Sequence, residues 1–120
     1  MPTALHTGKA EADLAKARSL ARQYAALTRK RFGKRLRGMR LYGSAARGDW
    51  ATDSDIDVLV LLDTVRNNDV DWLSRQAIRL GVLDNGLLLQ PLPMAEGRFV
   101  RLRQRERRFA LDVDHEGISL

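Results

Sequence analysis

Between Lys9 and Arg31, apolar residues return every three or four positions. Leu14, Ala17, Leu20, Ala21, Tyr24 and Leu27 fall in one stripe, and Arg18, Arg22 and Arg29 lie elsewhere on the wheel. That period belongs to an amphipathic helix, so the spacing predicts a first helix with solvated arginines. Gly33 stands where a left-handed cap would end it. A short strand is expected over about 36–42, running directly into Gly43, and Ala45, Ala46 and Arg47 begin a brief helix before the Gly48–Ser54 turn. The segment Ile56-Asp-Val-Leu-Val-Leu-Leu62 is nearly continuous in leucine and β-branched residues, the pattern of a strand covered on both faces. Asp69 or Asp71 then caps a helix that carries Val70, Leu73, Ala77 and Leu80 and ends near Gly81. Leu87-Leu88-Leu89 reads as a third strand stopped by Pro91 and Pro93. The stretch from about 94 to 113 has an interrupted helical pattern, with Phe99 and Leu102 on one face and Phe109 and Val113 on another; Gly117 ends it. The order helix, strand, strand, helix, strand, helix predicts an α/β (α+β) fold, a small sheet covered by helices.

With 120 residues and 44% hydrophobic content, the expected organisation is a single domain over residues 1–120 with one core. The longest apolar run, Val58–Leu62, has five residues, far short of a membrane span. The amino terminus lacks an apolar core of the signal-peptide kind, so a cytoplasmic protein is expected. Cysteine is absent, which excludes disulfides, thiolate metal sites and a cysteine nucleophile. His6 and His115 are too far apart in sequence to suggest a zinc cluster.

The formal charge of +6 is unevenly spread: bases crowd into Lys30–Arg40 and Arg98–Arg108, acids into Asp49–Asp63. Basic patches hold phosphorylated ligands, nucleic acid or acidic proteins, and more commonly they are solvated faces. Aromatic residues are sparse in both patches, which argues against nucleic acid as the main ligand. The Arg98–Arg108 segment and the first helix offer helical faces beyond what a small sheet needs, so a protein interface is expected there.

Two features between Leu41 and Asp63 carry chemistry. Gly43-Ser44 falls where a strand becomes a helix, so backbone N–H groups face outward and glycine lets a phosphate come close. The Ser44 hydroxyl adds a donor, and Arg47 can lean over the same charge. Asp55-Ile56-Asp57 places two carboxylates two residues apart on a strand, hence on one face, with Ile56 turned to the core. Carboxylates so close repel unless a cation lies between them, and hard oxygen ligands with room for water and phosphate suit magnesium. Alone, Gly-Ser is ordinarily a turn and Asp-x-Asp a solvated pair. Their conjunction across ten residues, each beside an apolar strand, describes nucleotidyl or phosphoryl transfer.

This string resembles the signature of the DNA polymerase beta-like nucleotidyltransferase superfamily, and is closest to the minimal nucleotidyltransferases that act as antitoxins beside HEPN-type toxins. The resemblance covers most of the chain. It implies a small mixed β-sheet covered by helices, with Gly43, Ser44 and Arg47 on the triphosphate of ATP. It implies Asp55 and Asp57 as the catalytic carboxylates and magnesium ligands. It further implies transfer of AMP to a hydroxyl, a tyrosine of the partner toxin, which neutralises it. The family also supplies a third carboxylate from a later strand. The expected strand, Leu87-Leu88-Leu89-Gln90, has none, leaving Asp63, Asp84 or Asp112 as substitutes. The alternative is therefore a catalytically weak or inactive antitoxin that masks its toxin by contact. Small-molecule transfer ordinarily needs an added acceptor-binding domain.

Tyr42 is either packed or free to stack on a base, and Trp50, in a polar loop, is either a ligand contact or a structural residue. Trp72 belongs to core or interface. Asp49, Asp53 and Ser54 read as turn formers.

Overall fold

A computed structural model describes residues 2–120, with side chains from Gly8 onward, so the side chain of His6 lies outside the described residues. The chain runs α1 (Pro2–Phe32), β1 (Leu36–Tyr42), α2 (Ser44–Arg47), β2 (Ile56–Leu62), α3 (Asn67–Ala77), β3 (Leu89–Ala95), α4 (Glu96–Gln104), α5 (Arg108–Glu116) and β4 (Ile118–Ser119). The four-stranded sheet has the order β3-β2-β1-β4, with β2 parallel to β3 and antiparallel to β1. It is the mixed, helix-covered sheet of a nucleotidyltransferase fold. Among the described residues no helix is long and apolar enough to cross a membrane.

β2 organises the molecule because both of its faces are covered. Ile56, Val58, Val60 and Leu62 pack with Leu20, Tyr24 and Leu73 from α1 and α3. Leu59 and Leu61 point the other way, to Met94, Phe99, Ala110 and Val113. Each such side chain, fully buried, contributes roughly 1.5–3 kcal/mol relative to exposure, which explains why an unbroken apolar run was retained at this one place. On α1 the buried stripe is Ala17, Leu20, Ala21, Tyr24, Ala25, Thr28 and Phe32. Ala25 and Thr28 replace the expected Leu27 at the centre, and Thr28 satisfies its hydroxyl on the Tyr24 carbonyl at 2.8 Å.

Several expectations are corrected. Neither Asp69 nor Asp71 is the N-cap of α3: Arg66 holds that position, and Asp69 reaches back to accept its N–H at 3.0 Å. Asp69 is buried because Arg35 grips it with two hydrogen bonds, of 3.0 and 2.7 Å, while Val70 is exposed. Gly81 does not end the helix. α3 widens into a π-helical turn over Ile78–Leu83 with Gly81 inside it, and a Cβ there would sit 2.7 Å from the Leu87 carbonyl oxygen. Glycine is kept for that close approach.

β3 begins two residues later than expected and runs through both prolines. Ile56 donates its N–H to the Leu88 carbonyl at 2.7 Å, so in a parallel ladder Leu88, Gln90 and Leu92 turn their backbone groups toward β2. Pro91 and Pro93 then occupy positions whose missing N–H would have faced outward from the sheet edge. The interrupted stretch after β3 is two helices separated by Arg105–Arg107, where Glu106 takes φ 53°. Beyond Gly117, β4 pairs with β1 at Leu41 and Arg40. Two residues are too few for an alternation to register in sequence.

Candidate active site

The end of β1 and the start of β2 meet because the two strands are antiparallel and Tyr42 pairs with Asp57. The chain leaves β1 at Gly43 with φ 72° and ψ −153°, a backbone region essentially reserved for glycine. A Cβ on Gly43 would lie 2.5 Å from Asp57 Oδ2. The glycine thus admits the Asp57 carboxylate against the backbone of the Gly-Ser turn. The close approach seen at this glycine is by the carboxylate; the expected phosphate would come to the same turn.

Asp57 is half-buried and Asp55, one step before β2, is exposed. Burial, and then the neighbouring Asp55 charge, push the Asp57 carboxyl above its usual range, and Arg47 opposes them. Tyr42 is packed edge-on against Phe109 with ring centroids 5.4 Å apart. Burial and the Asp57 charge hold its hydroxyl up at about 12. A carboxylate pair kept close at such a cost to ionisation is a place where a cation would be stabilising. The donor set fits magnesium in part: Asp55 and Asp57 offer hard oxygens, yet among the described residues no three His, Cys, Asp or Glu side chains gather into a metal-binding group.

α2 is a single turn whose Ala46 and Arg47 N–H groups both bond the Gly43 carbonyl at 3.1 Å. Arg18 of α1 secures its other end, donating from Nε to the Ala45 carbonyl at 2.9 Å and from Nη2 to the Ala46 carbonyl at 3.0 Å. The reading of Arg18 as solvated is overturned, because a guanidinium at the rim of the helix stripe finds the unpaired carbonyls of so short a helix. Arg29 stays exposed, as expected, and donates to the Leu120 main-chain oxygen at the surface. Trp50 is buried, with its indole N–H on the Ser54 carbonyl at 3.2 Å; it anchors the loop from within the core. Arg47 lies 3.4 Å from Asp49 and 3.5 Å from Glu116. Glu116 is an acid beside the site that spacing could not reveal, since α5 brings it from 69 residues away.

The position beside Asp57 on the neighbouring strand is Gln90, its register partner on β3. Of the possible substitute acids, Asp63 lies at the far end of β2, roughly 20 Å from Asp57 at about 3.3 Å per residue, and is bound to Arg35 at 3.1 Å. Asp84 and Asp112 are exposed and join no metal-binding group among the described residues. In the Arg98–Arg108 segment, Arg103 is paired with Asp114 at 2.7 Å and lies over Phe99. Trp72 is half-buried edge-on to Phe32.

A mixed α/β sheet that sets a Gly-Ser turn against paired carboxylates at the mouth of two strands defines a class of nucleotidyl-transferring proteins. The chain belongs to the nucleotidyltransferase domain family, whose profile matches residues 23–113. Domains of this family generally use a nucleoside triphosphate with magnesium. The chain is also similar to a protein of Methanocaldococcus jannaschii described as "putative protein adenylyltransferase", with 30% identity over 60 residues. That match takes in half of this chain and 60% of the relative's length.

Proposed function

We propose that this chain transfers AMP from magnesium-bound ATP to a hydroxyl of a partner protein, with a tyrosine of a HEPN-type toxin as the acceptor and neutralisation of the toxin as the outcome. The family supports nucleotidyl transfer in general, and the described activity of the archaeal relative suggests a protein acceptor. The observation that carries the reading is the Asp57 carboxylate lodged against Gly43, because it brings the phosphate-binding turn and the carboxylate pair to one point.

In this reading the acceptor oxygen bonds to the α-phosphorus, the bond to the bridging oxygen breaks, pyrophosphate leaves, and the hydroxyl proton passes to solvent. Bound magnesium would be held by Asp55 and Asp57 and supply charge neutralisation for the triphosphate. Gly43 and Ser44 orient the phosphates through backbone N–H and hydroxyl donors, and Arg47, swinging from Asp49 and Glu116, adds positive charge. Gln90 orients a water or the acceptor and cannot take a proton at neutral pH. Its place beside Asp57 favours slow transfer, and at the limit an antitoxin that works by contact.

Calorimetry with ATP and magnesium tests the site. The wild type binds ATP only with magnesium, and Asp55→Ala with Asp57→Ala abolishes that binding. Equal affinity in the double variant would remove the carboxylate pair from the site.

A further inference from the structure

The candidate site is acidic; the opposite end of the sheet is basic. Pairing of Leu36 with Leu62 sets the start of β1 beside the end of β2, roughly 17 Å from Asp57 at about 3.3 Å per residue. Lys30 and Arg31 in the last turn of α1, Lys34 in the 3-10 turn after it and Arg37 on β1 all stand exposed there. None of the four forms an ion pair among the described residues. The β1–β2 register slips between Leu36 and Gly38, so Arg37 is the extra residue of a bulge, an irregularity that re-aims a side chain.

Acids near these bases are already answered. Arg35 binds Asp63 at 3.1 Å and Asp69 at 2.7 Å, and the Arg66 charge helps hold both carboxyls below their usual range. Two exposed acids border this end, each with a base on its own helix: Asp71 lies one turn from Arg75, and Glu96 shares the first turn of α4 with Arg98. Lys30, Arg31, Lys34 and Arg37 remain as unanswered positive charge.

The surroundings define what that charge fits. Of the large apolar residues exposed, only Val65 and Val70 come near this end, at 37% and 38%, and both belong to the start of α3. Protein interfaces are built round desolvated apolar or aromatic anchors, whereas a nucleic-acid backbone is held largely by lysine and arginine. Single strands also call for free rings on which bases stack. Here Phe32 is buried, and half-buried Trp72 lies under the Arg31 guanidinium at 5.5 Å. A duplex needs no such ring, because its phosphates face outward.

We propose that Lys30, Arg31, Lys34 and Arg37 bind the phosphate backbone of a nucleic-acid duplex without reading its sequence. The proposal is independent of the transfer reading, since the acids of the candidate site lie at the other end of the strands.

Fluorescence anisotropy of labelled DNA and RNA duplexes, titrated with the full chain over a range of salt, tests it. Binding to either duplex should weaken with salt along a log–log slope of about −3 to −4, as four phosphate contacts give. Lys34→Gln with Arg37→Gln should weaken binding at least about tenfold at low salt and flatten the slope by about 2. Arg105→Gln with Arg107→Gln removes the same charge from the exposed loop before Phe109, whose ring meets Tyr42 at the site end, and should leave binding unchanged. Both variants should melt like the wild type and bind magnesium-ATP as it does. Equal weakening by the two variants would overturn the proposal, and so would a preference for single strands. Affinity for polyglutamate but for neither duplex would overturn it in favour of an acidic protein. A wild type that holds the duplex yet never binds ATP would leave this surface standing and sink the transfer reading instead.

Discussion

Gly43 is the residue on which the site turns. Its φ and ψ lie where a side chain costs about 1–3 kcal/mol, and a Cβ would also collide with Asp57 Oδ2. Gly43→Ala is therefore expected to destabilise the fold by about 1–3 kcal/mol in urea denaturation and to displace Asp57, so that magnesium-dependent ATP binding falls more than stability does. A variant within ~0.5 kcal/mol of wild type that binds ATP normally would mean the turn tolerates a side chain and the close approach is not needed. Neighbouring residues divide by what a pattern can express. Asp55 and Asp57 announce themselves by alternation. Trp50 does not, because a tryptophan between polar neighbours looks solvated until the loop folds its ring under the sheet and its N–H onto Ser54.

At the scale of elements, the short helix α2 has too few residues to hold itself. Nucleating a helix is unfavourable and a single turn repays little of it; beyond its own bonds to the Gly43 carbonyl, α2 is held from outside by Arg18 at its far end. Hydrogen bonds from a charged donor contribute about 1.5–3 kcal/mol. Arg18→Ala should accordingly lower stability by about 2 kcal/mol and weaken ATP binding through a mispositioned turn, although Arg18 is no proposed ligand contact. Chemical denaturation and calorimetry on the same variant check this; intact ATP affinity would show that α2 keeps its place without the clamp. α3 behaves in the opposite way. Its start is locked by Arg35 and Asp69, whose carboxyl that hydrogen-bonded guanidinium holds below the usual range. Its far end loosens into the wide turn that exposes Ile78 and Leu83.

Across the whole molecule, the sheet decides what stands next to what. Parallel pairing of β2 with β3 puts Gln90 beside Asp57, and no acid elsewhere among the described residues completes a metal-binding group with the pair. Gln90→Asp should then speed AMP addition to the partner protein, by an amount approaching the 100- to 10,000-fold typically ascribed to a general base. Intact-mass spectrometry of the partner over time reads the rate. A rate unchanged or lowered by Gln90→Asp would show that the third position is not limiting and would shift attention to Glu116, which already sits against Arg47.

Local periodicity alone predicts the two central strands to the residue and the body of the first helix, whose start lies at Pro2 and not near Lys9, and it places the Gly-Ser turn and Asp57, while Asp55 falls one residue before its strand. It could not settle the fate of Pro91 and Pro93, since whether a strand accepts proline depends on which side of it faces another strand. Nor could it assign Arg18, Glu116 or Asp69, whose partners come from distant segments: 27, 69 and 34 residues away. Hydrophobic patterning states which face of an element is buried. Folding alone states against what, and at this site the answer is a carboxylate resting on a glycine with a glutamine as its neighbour on the next strand.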